Sequence, residues 1–324
     1  SIPGFGEKRD YKAMSREEIV NIVRDAGIVG LGGAGFPTFV KLSPKDIDKI
    51  DLFLVNGAEC EPYLTSDYRD MMEMPEKLIG GLQVVLSIFP NAKGKICIED
   101  NKPEAIKLLT EKTKGMDNIE VVALRTRYPQ GGERQLIYAA SGRKINSSML
   151  PADAGVVVDN VDTVVAIYEA VCESKPLVRK ILTVTGDAVL SPGNFRVPLG
   201  TDYQQVIAAA GGFSEEPEKI ISGGPMMGMP LFKLDIPVTK NSSSILAFKK
   251  DEVAEEATTP CINCGRCVTA CPENLMPTLM MVASLQKNTE RFEKLYGMEC
   301  IECGCCSYVC PAKRPLTQGF KQMK

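Results

Sequence analysis

A cysteine pattern that occurs twice near the end of the chain constrains its fold more than any other feature. Residues 261–272 and residues 300–311 both read C-x2-C-x2-C-x3-C-P. In bacterial ferredoxins this run holds a pair of [4Fe–4S] clusters, and the fourth cysteine of each run ligates the cluster of the other run. The spacing therefore predicts an α-helical, ferredoxin-like domain with two clusters that move single electrons.

The ligands of each cluster follow from the crossed pattern, because a cubane needs four thiolates, one for each iron. One cluster is assigned to Cys261, Cys264, Cys267 and Cys310, and the other to Cys300, Cys303, Cys306 and Cys271. Cys305 is spare, because counting it as a ligand breaks the spacing. A zinc site is disfavoured because the chain contains no histidine, and a disulfide framework suits small secreted domains rather than a chain of 324 residues.

The composition argues against several other classes of protein. The net charge of −3 disfavours nucleic acid as the main partner. Without histidine there is no Ser-His-Asp triad, and the chain lacks the G-x-x-x-x-G-K-[ST] loop of nucleotide triphosphatases. No apolar stretch reaches the roughly 20 residues that span a bilayer. We expect two or three domains, soluble or peripheral to a membrane, in a reducing cytoplasmic setting.

Strand and helix patterns alternate in the first half of the chain. We predict strands at 51–55, 95–99, 119–124 and 155–159, and helices at 77–89, 103–112, 133–140 and 161–172. Alternation of this kind indicates a layered α/β domain with a largely parallel sheet. Upstream, Ser15 and Glu18 form a capping box that opens a helix, and Gly27 ends it.

The pattern changes near residue 178, and we predict three domains: 1–176, 177–250 and 251–324. The middle domain has predicted strands at 180–185, 219–222 and 244–248, a turn at 191–194 and a helix at 202–210, which fits a small α+β module. The run 223–228, Gly-Gly-Pro-Met-Met-Gly, is either a ligand loop or a tight turn. We favour the turn, because methionine more often fills gaps in packing than it recognises ligands.

The densest glycine cluster of the chain lies at residues 30–38, Gly-Leu-Gly-Gly-Ala-Gly-Phe-Pro-Thr. It matches G-x-G-x-x-G, but a dinucleotide fingerprint follows a strand and opens a helix, whereas here a helix ends at Gly27 and Pro37 follows. Glycine backbone can still approach a phosphate or a flat ring closely, and Lys41 adds a positive charge. A purely structural turn is the alternative.

Three further loops follow predicted strands, at 56–62, 128–133 and 158–160. Ligands of open α/β sheets bind beyond the carboxyl ends of the strands, so we predict that these loops and the glycine cluster form one site. Ordinary solvated loops are the alternative. Since clusters pass single electrons and nicotinamide transfers a hydride, a flavin is the usual converter between them. The combination suggests a flavin between nicotinamide and the clusters.

The segments 30–38 and 56–62, with the two cysteine runs, together resemble the C subunit of the Rnf complex, a membrane complex that exchanges electrons between ferredoxin and NAD, coupled to Na+ or H+ transport. The α/β part is also similar to the flavin subunit of respiratory complex I. The resemblance implies FMN and NADH binding in the α/β domain, then a β-grasp module of the soluble-ligand-binding type, then two [4Fe–4S] clusters. It also implies partner subunits and a peripheral position on the cytoplasmic side of the bacterial membrane.

The resemblance carries over to individual residues. The implied FMN contacts are Gly30, Gly32, Gly33, Lys41, Asn56, Glu59, Tyr128, Gly131 and Asn160, and the implied NADH contacts are Phe36, Glu61 and Glu133. Four positions depart from the complex I relative: Leu31 stands in place of arginine, Ala58 of an acidic residue, Gly132 of glutamate and Asp159 of asparagine. No side chain is expected to act as a general acid or base, since the cofactors carry the chemistry.

Alternative functions remain open from the sequence. A related family of corrin reductases shares the glycine loop, flavin and clusters, and a selenoenzyme electron donor has a similar build. A third alternative is a non-catalytic electron relay or assembly subunit without bound flavin. Because residue 1 is serine and the Rnf subunit has a barrel-like domain before this region, we expect this chain to be a fragment of a longer protein.

Overall fold

The computed structural model describes residues 4–324. Its first region is a helix–sheet layer. The strands are β1 (Leu52–Gly57), β2 (Lys93–Glu99), β3 (Ile119–Leu124) and β4 (Val156–Asn160), and the helices are α1 (Arg16–Asp25), α2 (Thr38–Lys41), α3 (Ser66–Glu73), α4 (Pro75–Ile88), α5 (Pro103–Lys112), α6 (Glu133–Ser141) and α7 (Val161–Glu173). All strand pairs are parallel, in the order β3-β2-β1-β4.

The parallel sheet is covered on both faces, as its sequence requires. Alternate residues of β1 point to opposite sides of the sheet. Phe53 and Val55 join the core formed with α1, α4, α5 and α7, whereas Leu52 and Leu54 join the core formed with α6. This double burial explains why the strands read as continuous apolar runs. The predicted α/β domain is confirmed, with strand and helix ends displaced by only a few residues.

The second region is a five-stranded mixed sheet with one helix. Its elements are β5 (Arg179–Thr185), β6 (Gly193–Pro198), α8 (Tyr203–Ala209), β7 (Lys219–Ser222), β8 (Met229–Leu231) and β9 (Ser244–Phe248). The strand order is β6-β5-β9-β7-β8, and only β5 and β9 pair in parallel. The predicted turn at 191–194 is partly wrong, because β6 begins at Gly193, and β8 was not predicted.

The third region consists of short helices around the cysteine runs. They are α9 (Arg266–Thr269), α10 (Pro277–Leu285), α11 (Thr289–Lys294), α12 (Cys305–Tyr308) and α13 (Leu316–Lys321). Met280, Phe292 and Phe320 form their shared core. No helix within residues 4–324 is both long and apolar enough to cross a membrane.

The two cysteine runs have the same backbone conformation at equivalent positions. Three pairs of residues have positive φ: Asn263 and Glu302 (56° and 57°), Gly265 and Gly304 (74° and 83°), and Asn274 and Lys313 (54° and 50°). Each member of a pair stands at the same distance from its own cysteines. The sequence repeat is therefore also a structural repeat, and Gly265 and Gly304 begin the equivalent helices α9 and α12.

Candidate functional site

A cavity of about 1020 Å³ opens at the carboxyl edge of the parallel sheet. It lies where the chain leaves β1 and β4, the neighbouring strands at which the strand order changes direction. Ligands of open α/β sheets bind at this point. Since binding cavities usually measure roughly 300–1,000 Å³, this cavity is large enough for a nucleotide-sized cofactor.

The structure brings all twelve predicted FMN and NADH contacts to this one cavity. Its wall includes Gly30, Gly32, Gly33, Phe36, Lys41, Asn56, Glu59, Glu61, Tyr128, Gly131, Glu133 and Asn160. They come from four segments that are far apart in the chain. Their assignment to individual ligands stays a prediction. The predicted loop at 158–160 is wrong, because these residues form the end of β4.

The glycine loop forms one wall and leaves its backbone accessible. The Gly30 N–H donates to the Phe36 carbonyl oxygen at 2.8 Å and closes the loop. A Cβ atom on Gly33 would meet no atom within 4 Å, whereas one on Gly32 would come within 3.2 Å of the Asn160 Cβ. The loop follows α1 rather than a strand, so it is not a dinucleotide fingerprint, as predicted. Leu31 is fully buried and contributes packing where the complex I relative has a charge.

Lys41 brings a positive charge to the cavity. Its Nζ donates to the Val158 carbonyl oxygen at 2.7 Å and lies 3.3 Å from Asp159 Oδ1 and 3.8 Å from Glu133 Oε1. The Asp159 side chain is fully buried, and neither oxygen has a hydrogen bond of good geometry. Burial raises the pKa of Asp159 to about 6, although Lys41 opposes the shift. Bare glycine backbone beside a lysine ammonium fits a phosphate-bearing flavin.

The loops after β1 and β3 are joined at Gly131. Asn56 Nδ2 donates to the Gly131 carbonyl oxygen at 2.9 Å, and the Gly131 N–H donates to Cys60 Sγ at 3.2 Å. A Cβ atom on Gly131 would lie 3.1 Å from that sulfur. A side chain at residue 131 would therefore crowd the Cys60 sulfur. The sequence left Cys60 without a role, and it lies in the cavity wall.

Glu59 and Asn160 hold α3 and α7 in place. Glu59 accepts hydrogen bonds from the Asp67 and Tyr68 N–H groups at 2.7 and 3.2 Å. Asn160 Oδ1 accepts from the Asp162 N–H at 2.9 Å, and Asn160 Nδ2 donates to Asp67 Oδ2 at 2.6 Å. Burial raises the pKa of Glu59 well above its usual range. Both residues thus shape the cavity as well as line it.

Glu61 and Tyr128 connect the cavity to the other two regions. The Glu61 carboxylate accepts from the Met226 and Met227 N–H groups at 3.1 and 2.9 Å. A Cβ atom at Gly224 would overlap this carboxylate. The Tyr128 hydroxyl donates to the Cys303 carbonyl oxygen at 2.7 Å. The run 223–228 is therefore a turn, as favoured, but it also lines the cavity, which we did not predict.

Two predicted NADH contacts stand at the mouth of the cavity, where the Phe36 residue is 46% exposed and the Glu133 side chain 45%. The middle region supplies wall residues that sequence reasoning missed, including Lys180, Tyr203 and Asn241. Local patterns gave no sign of them, apart from the glycine-rich run 223–228.

Two parts of the crossed pattern can be followed in the structure, while the assignment of all eight ligands stays a prediction. Cys271 lies with Cys300, Cys303, Cys305 and Cys306 around a small cavity, whose other lining residues are apolar except for Glu273 and Thr317. In the other group, Cys264 and Cys310 are close enough to Cys267 for their charges to act on its thiol. Within residues 4–324 no three cysteine or acidic side chains are placed to hold a single metal ion. A cubane requires wider spacing, because each thiolate meets a different iron.

The two cluster sites differ in exposure. Cys261 and Cys264 are exposed, whereas Cys303 and Cys306 are buried. Ile301 and Cys303 also form part of the wall of the large cavity. The site of the second run therefore lies beside the cavity, and the first run faces outward.

Three domain families match consecutive parts of the chain. The Nuo51 FMN-binding domain matches residues 23–169, the SLBB domain residues 181–230, and the 4Fe-4S dicluster domain residues 260–313. The chain therefore has an FMN-binding domain, a soluble-ligand-binding module and an iron–sulfur domain. The predicted fold class is confirmed.

A solved structure has the same fold over nearly all of the chain. The NAD+-reducing [NiFe]-hydrogenase in its H2-reduced state matches with a TM-score of 0.67 and 21% sequence identity, covering 95% of this chain and 62% of that one. At this identity the similarity concerns the fold alone.

Closer relatives identify the family. The C subunit of the proton-translocating ferredoxin:NAD(+) oxidoreductase complex of Clostridium ljungdahlii is 44% identical over 92% of this chain and 65% of its own length. The Na(+)-translocating counterpart of Acetobacterium woodii is 45% identical over 100% of this chain and 72% of its own length. The C subunit of the ion-translocating oxidoreductase complex of Rhodobacter capsulatus is 41% identical over 95% of this chain and 60% of its own length. The chain thus spans about two thirds of the length of these relatives, and it belongs to the family of C subunits of ion-translocating ferredoxin:NAD(+) oxidoreductase complexes.

Proposed function

We propose that this chain passes electrons between NADH, FMN and two [4Fe–4S] clusters, as part of a membrane-associated NAD:ferredoxin oxidoreductase that translocates Na+ or H+. One observation carries the proposal: the FMN-binding domain and Cys303 of the iron–sulfur domain share the wall of a single cavity. A flavin in that cavity would lie next to a cluster. The relatives' names support the role within a complex.

The cavity residues would position the cofactor rather than react. Bound FMN exchanges a hydride with nicotinamide and single electrons with iron–sulfur clusters. Gly32 and Gly33 offer backbone without side chains, and Lys41 offers a positive charge. Asn56 and Asn160, held by the hydrogen bonds described above, keep the cavity walls at fixed separation. Phe36 is exposed at the mouth and would contact an incoming nicotinamide nucleotide.

We propose an order for the two clusters. The cluster of Cys271, Cys300, Cys303 and Cys306 would exchange electrons with the flavin, because Cys303 reaches the cavity wall and its carbonyl oxygen accepts from Tyr128. The cluster of Cys261, Cys264, Cys267 and Cys310 would exchange electrons with a partner. The exposure of Cys261 and Cys264 supports this outward position.

We infer that the partners are other subunits of the complex and that the chain is peripheral on the cytoplasmic side of the membrane. Cluster thiolates require a reducing compartment, which supports that side. For the domain limits we propose 1–176, 177–250 and 251–324. Each of the three matched families lies within one of these ranges.

Anaerobic reconstitution with iron, sulfide and FMN tests the proposal. We expect about eight irons and one FMN per chain, and NADH-dependent reduction of ferricyanide. Lys41→Gln should weaken FMN binding by about tenfold or more, because it removes a charge-assisted contact. The exposed Lys45→Gln serves as control. A full iron content without flavin binding would indicate a relay, and flavin binding without NADH oxidation would indicate another electron donor.

A further inference from the structure

Buried carboxyl groups stand directly behind the flavin cavity. Asp70, on α3, is 1% exposed, and neither of its carboxylate oxygens has a hydrogen-bond partner among residues 4–324. Asp67, one helical turn earlier, lines the cavity. A buried carboxyl without partners is costly in its ionised form, so such a group holds a proton or meets a ligand.

The acids outnumber the cations that face them. Asp162, at the start of α7, accepts a hydrogen bond from Lys180 Nζ at 2.7 Å, and Lys180 comes from β5. The same Nζ donates to the Leu31 carbonyl oxygen at 3.2 Å, so it is occupied. The negative charge of Asp162 raises the pKa of both Asp67 and Asp70. Lys180 is the positive charge that acts most strongly on Asp67 and Asp70, and its hydrogen bond goes to Asp162.

The remaining elements around α3 do not restore the balance. Arg196, on β6, acts weakly on Asp70 and is bonded to Glu169. Beyond β1, Glu59 is a further carboxyl, on which the charge of Asp67 acts. Lys102 also lies near Glu59, but its Nζ already donates to the Ala58 carbonyl oxygen.

On α4, which also packs against α3, the two charged residues are engaged elsewhere. Glu76 pairs with Lys112, and Lys77 pairs with Glu169 and Glu173. Not all the carboxyl groups behind the cavity can therefore be ionised together.

The two aspartates differ in how easily they ionise. Burial, with the charges of Asp162 and Asp67, raises the pKa of Asp70 to about 9. Burial raises the pKa of Asp67 to about 6, with Lys180 and the Asn160 hydrogen bond opposing. The contacts agree with this order, because Asp70 has no hydrogen-bond partner among residues 4–324, whereas Asp67 accepts a hydrogen bond from Asn160. Asp70 is therefore the group that more readily holds a proton, and Asp67 is the easier of the two to ionise. Negative charge arriving in the cavity would act first on Asp67, which lines it.

We propose that Asp67 and Asp70 form a proton-binding site behind the cavity, in which Asp70 holds one proton and Asp67 takes up a second when the bound flavin is reduced. The inference rests on the proposed function. The electrons come from NADH, or from dithionite in the test. The proton comes from solvent and forms an O–H bond on the Asp67 carboxylate, and no covalent bond in the protein breaks. The added proton offsets the negative charge of the reduced cofactor.

Infrared spectroscopy of the flavin-free chain tests the resting proton. We expect a carboxylic acid C=O band that shifts in D2O and disappears with an apparent pKa of about 9. The difference spectrum between the wild type and Asp70→Asn should contain this band, which separates it from the bands of other buried carboxyls such as Glu59. Asn should replace a protonated Asp with little change in shape, and a band of equal intensity in both proteins would contradict a proton on Asp70. The exposed Asp25→Asn is the matched control and should keep the band. A wild-type spectrum without the band would overturn the proposal.

A redox titration of the FMN-loaded chain tests the second proton. Above pH about 6 the midpoint potential of the flavin should fall more steeply with pH in the wild type than in Asp67→Asn. The reduced-minus-oxidised infrared spectrum should gain a carboxylic acid band that this variant lacks. If the midpoint potential had the same pH slope in both proteins and no new band appeared, the proposed proton uptake by Asp67 would be overturned. A chain that binds no FMN would overturn the proposed function, whereas the flavin-free titration would still report the proton on Asp70.

Discussion

The iron–sulfur domain and the flavin cavity are two redox sites built in opposite ways. The eight cluster cysteines lie in two short runs, and a local backbone repeat with positive φ at matching positions shapes both. The cavity takes its wall from separate segments of the first region, from several segments of the middle region and from Ile301 and Cys303 of the third. A site of the first kind is specified by spacing, and a site of the second kind by topology. A substitution at a cluster site should therefore affect the iron–sulfur domain alone, whereas a substitution in the cavity wall should affect contacts between domains.

The largest effect should follow from Cys271→Ser, which tests how local the cluster sites are. Because Cys271 lies with the cysteines of the second run, the variant should lose that cluster and keep the one nearer in sequence. Iron should fall from about eight to about four per chain, as measured by iron analysis and electron paramagnetic resonance. Cys305→Ser is the control and should keep both clusters. Loss of the first-run cluster alone would refute the crossed assignment.

Asp70→Asn should produce the next largest effect, in the pH dependence of stability. Asp70 keeps its proton in the folded chain up to a pKa of about 9, whereas the unfolded chain ionises near 3.8. Unfolding between these values releases a proton, so the free energy of unfolding falls as pH rises, by up to about 1.4 kcal/mol per pH unit. The variant should lack this contribution. Its free energy of unfolding should therefore increase relative to that of the wild type as the pH rises from about 6 to about 8.

Urea denaturation at several pH values measures this difference. Asp25→Asn should follow the wild type, since its side chain is 72% exposed. Parallel stability curves for wild type and Asp70→Asn would show that Asp70 is ionised in the folded chain.

Gly33→Ala and Gly115→Ala form a matched pair that separates strain from binding. Both glycines have positive φ (134° and 87°), and a Cβ atom on either would meet no atom within 4 Å. Each substitution should cost about 1 kcal/mol in stability through backbone strain. Only Gly33→Ala should also weaken FMN binding, because Gly33 lines the cavity. Fluorescence titration with FMN measures this, and equal affinities would remove the glycine loop from the flavin site.

The smallest effect is expected from Tyr128→Phe, which breaks the direct link between the two redox sites. Loss of the hydrogen bond to Cys303 should cost about 0.5–1.5 kcal/mol. We expect the midpoint potential of the second-run cluster to shift while the potential of the first-run cluster stays constant. Tyr138→Phe, on an exposed part of α6, is the control. Unchanged potentials in Tyr128→Phe would mean that the contact serves packing alone.

The sequence predicted what depends on local spacing and periodicity. The strands of the parallel sheet could be recognised because they are buried on both faces and read as apolar runs. Helix α3 could not, because its sequence Ser-Asp-Tyr-Arg-Asp-Met-Met-Glu is mostly polar and one of its two buried residues is Asp70. Its formation depends on packing, and on Glu59, which binds the N–H groups of its first turn.

Contacts between domains were beyond sequence reasoning for the same reason. Glu61 was assigned to the nicotinamide, and that assignment stays a prediction. Its carboxylate binds two N–H groups that lie 165 and 166 residues further along the chain. A local sequence pattern cannot predict a contact between residues so far apart in the chain. Lys180 likewise reads as an ordinary strand residue, although burial places it beside Asp162.

The predicted exchange of fourth cysteines between the two runs would limit how this domain can be cut or transplanted. Cys271 belongs spatially to the later run, so a protein truncated between residues 272 and 299 would leave both clusters with incomplete ligand sets. A shortened version must keep or omit residues 260–313 as a whole. With such an exchange, a single cluster could not be moved into another protein without the cysteine of the other run.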